Sequence, residues 1–103
     1  VSAPVELVQT SPGRYEVRGA LTFATAAAAH QAGRKNFSNS DSQTFEVDCS
    51  GVSAADSAGL AVLLDWMAFA KSRGRQLHFV GLPEELLALA RISEVEDWLK
   101  QGA

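Results

Sequence analysis

The sequence has a single cysteine, Cys49, so no intrachain disulfide can form and nothing argues for an oxidising compartment. A reducing cytoplasm is the expected setting. A basic surplus is also missing. The formal net charge is -3 and the nine Lys and Arg residues are scattered, whereas a nucleic-acid footprint needs cations gathered on one face. The densest basic grouping, Lys71, Arg73 and Arg75, falls at an expected helix end, where solvated cations complement the carbonyl dipole. Long apolar runs are absent too. Ala58 to Ala70 is interrupted by Asp65 and falls short of the roughly 20 residues that span a bilayer, so it reads as a buried helix.

Catalytic signatures are equally scarce. There is no Gly-x-x-x-x-Gly-Lys-Ser/Thr phosphate cradle and no Gly-x-Gly-x-x-Gly between a strand and a helix. Gly51-Val52-Ser53 begins like a nucleophile elbow, but Ala55 takes the place of the second glycine. His30 and His78 have no cysteine or carboxylate at metal-ligand spacing. Cys49, without a neighbouring His or Lys, reads as a small core residue. The expectation is a chain with no catalytic residue, no metal and no cofactor.

What is present is ordinary globular material, 47% hydrophobic and 20% charged, of a length that fits one domain over residues 1–103. Val5 to Val8 forms a short strand before the turn-forming Ser11-Pro12-Gly13. Tyr15, Val17 and Leu21 alternate with Glu16 and Arg18 as a half-buried strand, with Gly19 as its stop. Thr22 is placed to cap an alanine-rich helix over Phe23 to Ala32 that ends near Gly33. Asn36 to Ser42 is rich in side chains that compete with regular backbone bonding, so it is expected to be an exposed loop. Phe45 and Val47 mark a third strand, and Cys49 to Val52 leads onward from it. A long helix from Ser57 to Arg73 stops at Gly74, a fourth strand covers Leu77 to Val80, and a further helix covers Glu84 to Ile92 after Pro83. Val95 to Leu99 adds a last short helix. Strands alternating with helices predict an α/β fold: a mixed sheet of four to five strands with a parallel core, and three to four helices.

The segment Asp56-Ser57-Ala58-Gly59-Leu60 stands out at the strand-to-helix junction. Asp56 or Ser57 can accept hydrogen bonds from the first free N–H groups of the helix, and Gly59 permits close backbone approach. At about 100° per residue, Leu60, Leu63, Leu64, Met67 and Ala70 share one arc, the core side. Ser57, Ala58, Ala61, Asp65 and Ala68 share another, too low in bulk for an ordinary solvated face. Trp66 and Phe69 are weighed toward core packing.

These residues, from Tyr15 to Ile92 and above all Phe45 through Leu64, resemble the STAS domain family, and within it the MlaB type. The resemblance implies a non-enzymatic accessory subunit that binds the ATPase of an ABC transporter for phospholipid trafficking and outer-membrane lipid asymmetry. Such a subunit works in the cytoplasm, meeting the inner membrane only through its complex. It places the partner-binding surface at Asp56, Ser57, Ala58 and Gly59, with Ala61 and Asp65 extending it by helix geometry. The alternative is an anti-anti-sigma switch controlled by phosphorylation of Ser57. Ala58, where many anti-anti-sigma factors carry a second hydroxyl, ranks that alternative second.

Overall fold

The computed structural model describes residues 5–101. The elements are β1 (Glu6–Ser11), β2 (Arg14–Leu21), α1 (Ala26–Ser38), β3 (Thr44–Ala55), α2 (Ser57–Ser72), β4 (Gln76–Val80), α3 (Glu84–Ile92) and α4 (Glu96–Gln101). They form one sheet in the order β1-β2-β3-β4. β1 and β2 are an antiparallel hairpin, while β2 with β3 and β3 with β4 are parallel, joined through helical crossovers. This is the mixed α/β fold with a parallel core that the sequence predicts.

One face of the sheet is covered. Tyr15 and Val17 of β2, Phe45, Val47 and Cys49 of β3, and Leu77 of β4 are buried with Leu63, Trp66 and Met67 of α2, Leu86 of α3 and Leu99 of α4. The intervening residues Arg14, Glu16, Arg18 and Glu46 lie outside this core and pair with one another on a polar face. Trp66 and Phe69 are both core residues. Arg34 and Arg73 stack over the edge-lying Phe69 ring at 4.7 and 4.8 Å.

The first half of the chain departs from its sequence reading in four ways. β2 does not end at Gly19. Gly19 sits at φ +97, and the strand continues to the buried Leu21. α1 begins at Ala26 instead of Phe23, because residues 22–25 form a turn in which Thr25 N–H donates to the Thr22 carbonyl and Thr25 Oγ1 donates to the Ala20 carbonyl at 2.7 Å. Gly33 does not stop α1 but lies within it, where a β-carbon would overlap the indole nitrogen of Trp66. Asn36, Phe37 and Ser38 are therefore helical, and Phe37 is buried with its ring 5.3 Å from Tyr15, 4.9 Å from Phe45 and 5.7 Å from Trp66. The remaining loop is held by Arg75, which donates to the carbonyls of Phe37 (2.9 Å) and Ser40 (2.6 Å) instead of lying solvated at the helix end.

β3 is longer than expected, running through Ala55. Its register against β2 slips between Glu16 and Arg18 and again between Gly19 and Ala20, with one extra β3 residue each time. Such bulges break the period-2 pattern, which is why residues past Cys49 do not read as strand. Cys49 itself is fully buried, and burial pushes its thiol up to about 12. Folded chain is expected to react with a thiol-specific disulfide reagent only as fast as it opens. Rapid stoichiometric labelling in native buffer would contradict this placement.

Candidate functional site

β3 delivers the chain to the end of the sheet, where Asp56 turns it into α2. Asp56 has extended backbone angles and caps the helix: its Oδ1 accepts from Gly59 N–H at 3.1 Å, and its carbonyl accepts from Leu60 N–H at 3.0 Å. Its Oδ2 reaches across the fold and accepts from Phe23 N–H at 3.0 Å. One carboxylate thus ties the turn before α1 to the start of α2.

These bonds, the Phe23 one foremost and the Gly59 one next, hold the Asp56 carboxyl below its ordinary value of 3.8. A lowered folded-state value means that the stabilisation is complete above the unfolded value and disappears as pH falls through the folded one. Asp56→Asn keeps an acceptor oxygen but not the charge. The difference in Tm between the parent and Asp56→Asn is therefore expected to narrow as the solution is acidified below pH 3.8. A gap that stays constant with pH would count against the cap.

Ser57, the first residue of α2, is exposed, and its hydroxyl makes no hydrogen bond among the described residues. Ala58 is half-buried, Ala61 exposed and Asp65 half-buried on the same side of the helix. Gly59 is different. It is buried, and a β-carbon there would overlap the Leu21 carbonyl oxygen, so it seats α2 on the end of β2 and offers no side-chain surface outward. Gly59→Ala is expected to destabilise the fold by about 1–3 kcal/mol, the usual range for forcing an extra methyl into a packed site. Chemical denaturation measures it, and an unchanged midpoint would show that the helix tip is not seated on Leu21.

The small-residue side of α2 does not face open solvent alone. α1 runs beside it, and Ala26, Ala27, Ala58, Ala61 and Val62 line a shallow apolar groove of about 610 Å³. Phe23 stands at one end of the groove, 84% exposed. His30 and Asp65 close the other. His30 Nε2 lies 2.7 Å from Asp65 Oδ2 and accepts from Arg34 Nε at 3.2 Å. Arg34 Nη2 approaches the second carboxylate oxygen at 3.5 Å.

The structure therefore brings Asp56, Ser57, Ala58, Ala61 and Asp65 to one surface and turns Gly59 inward. It adds Phe23, Ala26, Ala27 and His30, which sequence reasoning left out. A signal for Phe23 existed: the residues three and four positions later, Ala26 and Ala27, offer its ring no bulky helical neighbour. Among the described residues no group of three or more His, Cys, Asp or Glu side chains gathers to hold a metal, and no helix is long and apolar enough to cross a membrane.

A family model described as "Mlab, STAS domain" matches residues 9–101. No curated protein sequence matches the chain significantly. Among solved structures, the anti-sigma factor antagonist SpoIIAA in its unphosphorylated form is similar, with a TM-score of 0.65 at 11% identity over 88% of this chain and 82% of that one. A sulfate transporter family protein from Wolinella succinogenes gives a TM-score of 0.67 at 17% identity over 93% of this chain and 77% of that one. The SLC26A9 structure gives 0.65 at 14% identity over 96% of this chain but 21% of that one, so this chain spans about a fifth of its length. At these identities the structures share the fold.

Proposed function

The chain belongs to the MlaB-type STAS domain family, whose members are non-catalytic accessory domains, and from that premise we propose that it binds the ATPase of an ABC transporter for phospholipid trafficking. Docking uses the start of α2, with Asp56, Ser57, Ala58, Ala61 and Asp65 at its centre. The observation that supports this reading is the exposed, low-bulk helix tip at Ser57, continuous with the apolar groove toward Phe23. Small side chains let a second backbone come close, and a rigid capped helix loses little entropy when it is covered. The chain acts in the cytoplasm, reaches the inner membrane only through its complex and contributes to outer-membrane lipid asymmetry.

The direct test is co-expression with the matching transporter ATPase. A stable complex is expected to co-purify and to survive Arg18→Ala on the polar sheet face. Failure of the purified, folded chain to bind that ATPase would end the proposal.

A second reading is favoured by the exposed hydroxyl of Ser57, which makes no hydrogen bond among the described residues. A phosphate there adds about -1.5 to -2 charges beside Asp56 and would repel an acidic partner surface. Intact-mass analysis after incubation with a cognate anti-sigma kinase separates the two, and an unmodified Ser57 counts against the switch.

A further inference from the structure

At the end of α1 far from Asp56, a polar cavity of about 520 Å³ opens between the β1–β2 hairpin and the loop that follows the helix. Gln9 and Tyr15 line it from the hairpin strands, Lys35, Asn36 and Asn39 from the helix end, and Asp41 from the loop. Its size falls within the usual range of small-molecule sites, about 300–1,000 Å³. The loop wall is held from behind, where the Arg75 guanidinium donates to the Phe37 and Ser40 carbonyls.

Tyr15 distinguishes this cavity from a surface dent. The residue is 2% exposed, and its ring packs edge-on against Phe37 at 5.3 Å and Phe45 at 6.0 Å. A buried tyrosine ordinarily finds a partner for its hydroxyl. Among the described residues the fold supplies none, and the buried side-chain atoms sealed away without a partner belong to Asp65 and Trp66 instead. The Tyr15 hydroxyl therefore meets the cavity, where it offers both a donor and an acceptor to an occupant.

The other polar groups narrow the chemistry. Lys35 is the one cation and Asp41 the one anion in the lining, so the wall carries no net charge. α1 ends here, and the negative pole of its dipole disfavours an anion, while the Lys35 ammonium disfavours a cation. Gln9, Asn36 and Asn39 add side-chain amides, each able to donate and to accept. Asn36 uses one donor on the Ala32 carbonyl at 2.8 Å, which leaves its amide oxygen unbonded among the described residues. Mixed donors and acceptors on a wall without net charge suit hydroxyl groups, which donate and accept at one atom.

We propose that this cavity binds a small uncharged polyhydroxyl molecule of the monosaccharide or cyclitol class, with the Tyr15 hydroxyl at its floor. The site is separate from the α2 tip and stands whether or not the ATPase reading holds.

Amide chemical-shift titration of the isotope-labelled chain with D-glucose, D-ribose and myo-inositol tests the assignment. With at least one of them, saturable shifts are expected at residues 9–15 and 35–42, with a dissociation constant of about 10 mM or below. Tyr15→Phe keeps the ring and drops only the oxygen, so it should raise that constant about fivefold to tenfold while Tm stays at or above the parent's. Asn39→Ala, on the exposed rim, should also weaken binding, and Ile92→Ser on α3 should not. Inorganic phosphate should give no saturable shift at these amides. The proposal is overturned if none of the three polyols shifts them, or if phosphate does so in their place. It is equally overturned by polyol binding that Tyr15→Phe and Asn39→Ala leave unchanged, or by a sharp fall in Tm for Tyr15→Phe, which would place the hydroxyl's partner inside the fold.

Discussion

Phe37→Ala is expected to lower the unfolding free energy by about 3–5 kcal/mol, the range for removing a fully buried aromatic ring. Domains of this kind hold only about 5–15 kcal/mol in total, so much of the folded population is at risk. The ring is 1% exposed and packs on Tyr15, Phe45 and Trp66, joining the end of α1 to β2, β3 and α2. Phe23→Ala removes the same side chain from an 84% exposed position, and in dilute solution should change stability by no more than about 0.5 kcal/mol. Urea denaturation of the two variants compares them directly. Equal effects would mean that α1 does not carry Phe37 into the core.

Ser57→Arg is expected to weaken association with the ATPase by about thirtyfold or more, as a long charged side chain at the centre of a close-packed interface must be displaced or desolvated. The fold should survive. Ser57 points to solvent and makes no side-chain bond among the described residues, and a cation at a helix start costs only about 0.3–1 kcal/mol. Ser57→Ala, which removes the hydroxyl without adding bulk, should alter affinity by about tenfold at most, in keeping with the net worth of one hydrogen bond. Isothermal titration of both variants separates crowding from lost bonding. A Ser57→Arg variant that is folded and binds as the parent does would remove the α2 tip from the interface.

The second half of the fold was legible because its signals are local. Asp56 before an apolar periodicity, Gly74 at φ +70 after it, and Pro83 ahead of Glu84 and Glu85 mark the ends of α2 and the start of α3 within a residue or two. The first half was not, for tertiary reasons. An alanine run favours helix but carries no bulky periodicity to fix where the helix begins or ends. Gly33 looks like a stop, yet its lack of a side chain is what admits Trp66. The bulges of β3 hide its length by breaking alternation.

The candidate site divides along the same line. Its α2 side follows from helical spacing alone. Its α1 side depends on Asp56 reaching Phe23, thirty-three residues earlier, and on His30 meeting Asp65, neither of which any local pattern encodes. Gly59 shows the converse. A glycine two residues after an exposed serine reads as surface, while the close approach it permits is to the chain's own Leu21 carbonyl.

Hydrogen exchange of the chain with and without its ATPase tests the central claim most directly. Binding should slow exchange at residues 57–60 and in the adjoining turn at residues 22–25, leaving β1 and the loop at residues 39–43 as they are in the free chain. Protection confined to β1, to that loop or to α3 and α4, with the amides at the start of α2 exchanging as before, would contradict it.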